Sequence, residues 1–282
     1  MKILVTGAGG QLGYDVCSFL AGRNVEYRGV DIAEFDIADA QAVRSYIKTY
    51  NPNGVIHCSA WTAVDRAEET PEECRTVNVE GTRNIAMVCK ELGAKMLYIS
   101  TDYVFPGNGE QFYEPNDPTG PLSVYGRTKL EGELVVQNLL EQYFIVRTSW
   151  VFGRNGNNFV KTMLQLAETR MEVSVVRDQI GSPTYTVDLA PLLYEMIASE
   201  KYGIYHATNE GVCSWAEFAE EIFRLAGKNV RVNAISTSEY PTKAVRPLNS
   251  RMSKDKLEQM GFFRLQNWQD ALKRYLIETR KI

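Results

Sequence analysis

The sequence predicts an α/β fold, Rossmann-like in its doubly wound parallel sheet, with a smaller α+β lobe toward the C-terminal end. Short apolar segments alternate with helical segments through the first half of the 282 residues, which is the pattern of right-handed βαβ units. Several of the apolar segments, such as residues 54–58 (GVIHC), carry almost no polar residue. Strands covered by helices on both faces have this composition.

Each element is placed by a short apolar run or a helical period between turn residues. Strands are predicted at residues 2–6, 25–30, 54–58, 96–100, 144–147 and 173–176. Helices are predicted at residues 11–21, 40–49, 77–91, 125–141, 158–169, 187–198, 215–226 and 266–281. Residues 106–121 are rich in Pro, Gly and Asn and are predicted as a loop. We expect residues 1–155 to form one domain, to which segments near 173–200 return, and residues 156–282 to form most of the second lobe.

A glycine motif lies between the first predicted strand and the first predicted helix. Gly7, Gly10 and Gly13 have the G-x-x-G-x-x-G spacing, which in a strand–turn–helix context is typical of dinucleotide binding. Glycine permits a tight turn and a close approach of the backbone, and the helix N-terminus offers N–H groups to a pyrophosphate. We therefore expect these glycines, with Gln11 and Leu12, to hold the diphosphate of a dinucleotide.

Asp31 ends the second predicted strand, 18 residues after Gly13. This is close to the ~20-residue spacing at which a carboxylate reaches the adenosine ribose hydroxyls. A carboxylate repels a 2′-phosphate, so NADH is the preferred cofactor and NADPH the second candidate, with Arg28 nearby to soften the preference. The other expected cofactor contacts follow the second and third strands: Asp36, Ile37, Ala60, Trp61 and Thr62.

Tyr125 is the only one of the 15 tyrosines with a lysine, Lys129, four residues later. On a helix these two side chains share a face, and Thr101 ends the strand before that helix. Reduction of a ketone by hydride needs a proton for the developing alkoxide. The Lys129 ammonium is expected to lower the pKa of the Tyr125 phenol from ~10, and Thr101 to hydrogen-bond the substrate oxygen. We therefore expect all three to be catalytic, and Tyr125 and Lys129 also to contact the cofactor.

The composition excludes several functional classes. Lys and Arg number 31 against 35 Asp and Glu, a net charge of −4, which lacks the basic footprint of a nucleic-acid-binding protein. Two distant histidines and five scattered cysteines provide no metal-ligand spacing, so no metal is expected. Single cysteines favour a reduced cytoplasm, and no apolar run approaches the ~20 residues of a membrane span. We expect a cytoplasmic protein with no membrane partner.

The glycine motif, the Tyr-x-x-x-Lys pair and Thr101 resemble those of the extended short-chain dehydrogenase/reductase family. Six further stretches resemble the members that act on dTDP sugars: residues 62–68, 100–105, 147–153, 157–164, 176–184 and 246–252. The resemblance covers essentially the whole chain. It implies NAD(P)H-dependent reduction of the 4-keto group of a dTDP-linked 4-keto-6-deoxyhexose, the last step toward dTDP-L-rhamnose.

The same resemblance implies roles for particular residues. Tyr125 would donate the proton, and Lys129 would support it and bind the ribose. The remaining residues would contact the substrate together with Thr101: Asp102 and Trp150 in the sugar pocket, Arg177 and Arg246 at the diphosphate, and Asn158 as an anchor.

Two alternative functions stay open. A nucleotide-sugar epimerase of the same family needs only tyrosine-driven oxidation and re-reduction, with the cofactor retained. A dehydratase fits less well, because Thr101-Asp102 is followed by Tyr103 where a second carboxylate is expected. A non-catalytic regulatory subunit could keep the dinucleotide fold, although it has no reason to keep the catalytic residues. A monomer and a homodimer are both compatible with the sequence.

Overall fold

The computed structural model describes residues 1–279, and its centre is a sheet of six parallel strands. The strands are β1 (Lys2–Thr6), β2 (Glu26–Val30), β3 (Gly54–His57), β4 (Lys95–Thr101), β5 (Tyr143–Thr148), β6 (Val151–Phe152), β7 (Glu172–Val176), β8 (Ile180–Gly181), β9 (Thr184–Tyr185), β10 (Gly203–His206), β11 (Cys213–Ser214) and β12 (Arg231–Ile235). The central sheet has the order β2-β1-β3-β4-β5-β10. The predicted parallel, doubly wound sheet is confirmed.

Helices surround this sheet and build the region beyond it. They are α1 (Gln11–Ala21), α2 (Ala40–Tyr50), α3 (Val64–Glu69), α4 (Pro71–Arg75), α5 (Thr82–Leu92), α6 (Val124–Leu139), α7 (Phe159–Leu166), α8 (Thr186–Ala198), α9 (Trp215–Leu225), α10 (Asp255–Gln259) and α11 (Trp268–Glu278). A π-helical turn, Thr76–Gly81, connects α4 to α5, and 3₁₀ turns lie at Asp102–Val104 and Thr237–Glu239.

Alternate residues of each central strand face opposite helical layers. Ile3 and Val5 of β1 pack with α1 and α8, whereas Leu4 packs with α2, α5 and α6. These strand residues are fully buried, which explains their nearly continuous apolar sequence. The strand order reverses between β1 and β3, and ligands bind open α/β sheets at such a switch point, beyond the carboxyl ends of the strands.

A separate apolar core lies outside the central sheet. It contains Phe152 of β6, Val160 of α7, Phe218 of α9 and Tyr275 of α11. In this region β7 pairs with β12 in parallel. By contrast, α8 packs against α1, and β10 pairs with β5 at the edge of the central sheet. Whether a domain boundary falls at residue 155 stays a prediction.

Several elements differ from the sequence predictions. Strand β10 was not predicted; it is defined by its pairing with β5, which is distant in the sequence. The helix predicted at 77–91 begins as a π-helical turn, a feature without a sequence signature. The last helix starts at Trp268 because the Asn267 side chain caps it by accepting from the backbone N–H of Gln269. The end predicted for that helix, Lys281, lies outside the described residues.

Candidate active site

A cleft of about 1200 Å³ lies beyond the carboxyl ends of β1 to β5. Its volume exceeds the ~300–1,000 Å³ of a site for one small ligand, so it has room for a larger ligand or for more than one. It brings together every residue predicted to bind the cofactor and three of those predicted to bind the substrate: Gly7, Gly10, Gln11, Leu12, Gly13, Asp31, Asp36, Ile37, Ala60, Trp61, Thr62, Tyr125, Lys129, Thr101, Asp102 and Trp150.

The glycine turn fits a phosphate-binding role because side chains would not fit there. Gly7 has φ +70°, and a Cβ on it would lie 2.7 Å from the backbone nitrogen of Ser59. A Cβ on Gly13 would lie 2.1 Å from the carbonyl oxygen of Gly7. Gly10 precedes α1 with no side-chain cap, and no acidic residue lies in the first turn. The first N–H groups of α1 are therefore suited to an anion.

Asp31 lies beside this turn at the end of β2. Its Oδ2 accepts from the backbone N–H of Gly9 at 2.7 Å, and its Oδ1 from that of Ile32 at 2.8 Å. Two backbone donors thus fix the carboxylate at the rim of the cleft. The Arg28 guanidinium lies over the ring of Tyr50, 4.9 Å from its centroid.

Asn78, which the sequence reasoning missed, holds the segment after β3. Its Oδ1 accepts from the backbone N–H of Trp61 at 2.8 Å, and its Nδ2 donates to the Trp61 carbonyl at 3.3 Å and to Thr128 Oγ1 at 3.0 Å. The amide is buried on the π-helical turn. No sequence signal distinguishes this asparagine from others, because the turn that aims it cannot be read from spacing.

Helix α6 carries Tyr125 and Lys129. It begins behind Ser123, whose hydroxyl accepts from the backbone N–H of Gly126 at 3.1 Å, so the tyrosine lies in the first turn. Lys129 Nζ donates to the carbonyl of Ile99 at 2.7 Å and lies 4.0 Å from the centroid of the Tyr98 ring. These contacts fix the ammonium at the end of β4.

The protonation of this pair differs from the expectation. Burial lowers the pKa of Lys129 to about 7, and the Glu133 carboxylate opposes that decrease. Burial raises the pKa of Tyr125 above its ordinary value of 10, and the hydrogen bond with Thr101 only partly offsets that increase. The expected decrease at Tyr125 is therefore not seen, because desolvation outweighs electrostatic stabilisation of the phenolate. A raised pKa keeps the phenol protonated, which is the form that donates a proton.

Thr101 and Asp102 form a buried hydrogen-bonded group. Thr101 Oγ1 donates to Asp102 Oδ1 at 2.9 Å, and Ser250 Oγ donates to Asp102 Oδ2 at 2.5 Å. Burial raises the pKa of Asp102 to about 6. Ser250 comes from residues 246–252, so this distant stretch reaches the end of β4.

Trp150 stands at the corner between β5 and β6 with φ +51°, a left-handed conformation that bulky residues rarely adopt. Its indole stacks on Trp215, with centroids 3.7 Å apart and planes inclined by 14°. A Cβ on Gly181 would lie 2.9 Å from the Trp150 ring. Trp215, missed in the sequence reasoning, also lines the cleft. Its position next to Ser214, the cap of α9, gave no functional signal.

Three predicted substrate residues do not line the cleft. Asn158 caps α7, and its Nδ2 donates to Gln11 Oε1 at 3.1 Å. Arg177 is exposed beside β12. Arg246 donates to Asp65 Oδ2 at 2.6 Å and to the Tyr103 hydroxyl at 3.2 Å. Their substrate roles stay predictions.

Within residues 1–279, no group of three or more His, Cys, Asp or Glu side chains is arranged to hold a metal ion. In the same part of the chain, no helix has the length and apolar character needed to cross a membrane.

A protein-family model, the RmlD substrate binding domain, matches residues 1–281. The chain belongs to this family. It is 42% identical to the spore coat polysaccharide biosynthesis protein SpsK of Bacillus subtilis (strain 168), over 98% of this chain and 97% of that protein. It is 43% identical to a dTDP-4-dehydrorhamnose reductase of Aggregatibacter actinomycetemcomitans, over 96% and 97% of the two chains.

A solved structure of a similar protein shares the fold. The crystal structure of a dTDP-4-dehydrorhamnose reductase from Bacillus anthracis, in complex with NADP, superposes with a TM-score of 0.96 at 42% identity. The match covers 99% of this chain and 100% of that one. The family resemblance noted from the motifs is therefore confirmed.

Proposed function

We propose that this RmlD-family protein is an oxidoreductase that reduces the 4-keto group of a dTDP-4-keto-6-deoxyhexose with a nicotinamide dinucleotide, converting dTDP-4-dehydrorhamnose to dTDP-L-rhamnose. One observation carries the proposal: Thr101, Tyr125 and Lys129 share a single cleft with the glycine turn. The likeness to named reductases over nearly the full chain supports the choice of substrate.

The cleft residues fit a dinucleotide. The side-chain-free surface of Gly7 and Gly13 and the uncapped start of α1 suit its diphosphate, and Asp31 suits a ribose diol. Lys129, fixed over Tyr98, would hold the second ribose. When bound, the reduced nicotinamide supplies the hydride that adds to C4 of the sugar.

The protein's own groups supply the proton and the orientation. The Thr101 hydroxyl, turned from Asp102 to the substrate, would donate to the keto oxygen and hold it toward Tyr125. The Tyr125 phenol, protonated because burial raises its pKa, would transfer its proton to the developing alkoxide. The Lys129 ammonium would then stabilise the phenolate left behind.

An assay of NADH oxidation tests this function. Purified protein with NADH and dTDP-4-keto-6-deoxy-L-mannose should consume one NADH per sugar, and NMR should identify dTDP-L-rhamnose. The C3 and C5 epimers of the substrate serve as matched controls. Conversion of dTDP-L-rhamnose to its C4 epimer without net change of the dinucleotide would instead identify an epimerase, and NADH binding without turnover would identify a regulatory module.

Tyr125→Phe tests the proton donor. Loss of the phenolic proton should reduce kcat by more than ~100-fold, the scale of general-acid catalysis, while the dissociation constant of NADH stays within about threefold of the wild type. Tyr14→Phe, on the exposed surface of α1, is the control. Near-normal turnover by Y125F would exclude Tyr125 as the donor.

We also propose that NADH is preferred and NADPH accepted. Asp31, held by two backbone N–H groups, would bind a free 2′-hydroxyl and repel a 2′-phosphate. The relative from Bacillus anthracis was crystallised in complex with NADP. The ratio of kcat/KM for NADH and NADPH therefore measures which cofactor this protein prefers. Asp31→Asn should shift that ratio toward NADPH by about tenfold. A wild type that favours NADPH would contradict this role of Asp31.

The cytoplasm is the proposed location, since five free cysteines suit a reducing compartment. A monomer or a homodimer is expected, and light scattering coupled to size-exclusion chromatography separates the two.

A further inference from the structure

A buried carboxylate lies one helical turn beyond Lys129. Glu133 follows Tyr125 by eight residues and Lys129 by four, so the three share one face of α6. Its side chain is fully buried. The proposed reaction leaves this group without a role.

Glu133 bonds to two of the strands that end at the cleft, β4 and β5. Its Oε1 accepts from Ser100 Oγ of β4 at 2.5 Å and from Arg147 Nε of β5 at 2.8 Å. Its Oε2 accepts from Arg147 Nη2 at 2.7 Å. Three donors on two strands therefore converge on one carboxylate of α6.

Arg147 extends this contact to the long loop before α6. Its Nη1 donates to the carbonyl of Pro115 at 3.0 Å, and its guanidinium lies 4.9 Å from the centroid of the Phe105 ring. Every nitrogen of the guanidinium is thus used. Burying such a pair adds little net stability, because desolvation of two charges offsets their attraction. The pair instead fixes the position of α6 relative to β4 and β5.

Ser100, which donates to Glu133, lies between two residues of β4 that contribute to the site. Ser100 is preceded by Ile99, whose carbonyl receives the Lys129 ammonium at 2.7 Å, and is followed by Thr101. A shift of α6 against β4 would therefore change the bond from Lys129 to Ile99 and, at the same time, the position of Tyr125 relative to Thr101.

We propose that Glu133 is a positioning residue that sets the spacing of α6 against β4. Through that spacing it places Tyr125 and Lys129 opposite Thr101. This inference rests on the proposed function, which assigns those three residues to catalysis. Glu133 itself touches neither ligand.

The test compares Glu133→Gln and Ser100→Ala with Glu131→Gln. E133Q should reduce kcat by about 100-fold and S100A by about tenfold, the range expected when reacting groups are displaced by up to 1 Å. KM for the keto sugar should stay within about threefold. Glu131 lies on the same helix, half-exposed and 3.0 Å from Arg75, so E131Q should retain wild-type kcat.

A double variant separates positioning from general loss of stability. If Ser100 acts through Glu133, S100A in the E133Q background should cause no further decrease in kcat. Should E133Q fail to fold, S100A decides, since it leaves the Glu133–Arg147 pair intact. Wild-type kcat in S100A, or independent multiplicative losses in the double variant, would overturn the proposal.

Binding of NADH is measured in parallel, because it does not depend on the sugar. Displacement of Lys129 should raise the dissociation constant of NADH in E133Q, or in S100A if E133Q does not fold, by about tenfold. If the wild type binds NADH but reduces no keto sugar, the proposed function is contradicted, whereas the positioning role of Glu133 is still tested by NADH binding. NADH dissociation constants equal to that of the wild type would then overturn the role of Glu133.

Discussion

Burial shifts the pKa values of the side chains at the centre of the cleft away from their ordinary values. The pKa of Lys129 is lowered to about 7, and that of Asp102 is raised to about 6. Desolvation is the largest cause in both cases and favours the neutral form of each group. Two groups of opposite charge type are thus moved toward neutral pH by one physical effect.

The raised pKa of Asp102 makes a prediction about stability. Between its ordinary value of 3.8 and about 6, the folded protein holds a proton that the unfolded chain has lost. The contribution of Asp102 to the free energy of unfolding therefore decreases as the pH rises through that range. Asp102→Asn cannot titrate, and the hydroxyls of Thr101 and Ser250 can reorient to bond an amide.

The free energy of unfolding of D102N, relative to the wild type, should increase by about 2–3 kcal/mol between pH 4 and pH 7. Urea unfolding at each pH unit measures this difference. A difference that is constant across the range would show that Asp102 does not titrate there.

Residues that carry a spaced motif could be placed from the sequence. The glycine turn, Asp31, Tyr125 and Lys129 all line the cleft, because strand ends and helix periodicity determine where they lie. Arg246 could not be placed in this way. Its partner Asp65 is 181 residues away, and no local pattern encodes a contact of that range.

At the scale of elements, the corner between β5 and β6 depends on the absence of a side chain at Gly181 of β8, which leaves room for the Trp150 ring. Trp150 holds a left-handed backbone there, and Gly181 of β8 provides the surface against which its ring lies. The stack with Trp215 covers the other side of the ring. Two elements distant in sequence therefore fix one side chain of the cleft.

Gly181→Ala should displace the Trp150 ring, because the new Cβ would lie 2.9 Å from it and 3.0 Å from the Cβ of Ser250. Overpacking of this kind costs about 1–3 kcal/mol in the free energy of unfolding. We expect a changed tryptophan fluorescence spectrum and a raised KM for the sugar nucleotide, with NADH binding retained.

Gly22→Ala is the control for that variant. Gly22 has φ −78°, and the nearest atom to an added Cβ lies at an ordinary 3.5 Å. Its spectrum and kinetics should match the wild type. An identical spectrum and KM in G181A would show that the ring does not need this space.

Among the elements, long periodic segments could be predicted, whereas several short or irregular ones could not. Helices such as α1 and α8 follow an apolar period over eleven residues or more. The four residues of β10 gain their strand conformation only by pairing with β5. The same limit applies to the π-helical turn, where one widened turn aims Asn78 at Trp61.

At the scale of the whole molecule, both halves of the chain build the central sheet. Leu189, Leu193 and Ile197 of α8 pack on the face that contains Ile3 and Val5, and β10 closes the edge at β5. A fragment ending at residue 155 would expose that apolar face.

We expect a fragment of residues 1–155 to show no cooperative unfolding transition, because it lacks the helix and strand that cover the sheet. The full chain should unfold with one, measured by circular dichroism during heating. Co-expression with residues 156–282 should restore solubility of the fragment. A soluble fragment with its own sharp transition would show that the sheet is stable without α8 and β10.

The position of β10 at the sheet edge has a consequence during translation. On the ribosome, β5 is complete 55 residues before β10 begins. At ordinary synthesis rates this leaves those backbone N–H and C=O groups of β5 that face β10 unpaired for about 3–11 s. An exposed strand edge can pair with another nascent chain. Codons that slow translation between residues 149 and 202 would lengthen this interval and lower the yield of soluble protein, and a chaperone that covers the nascent edge would restore it.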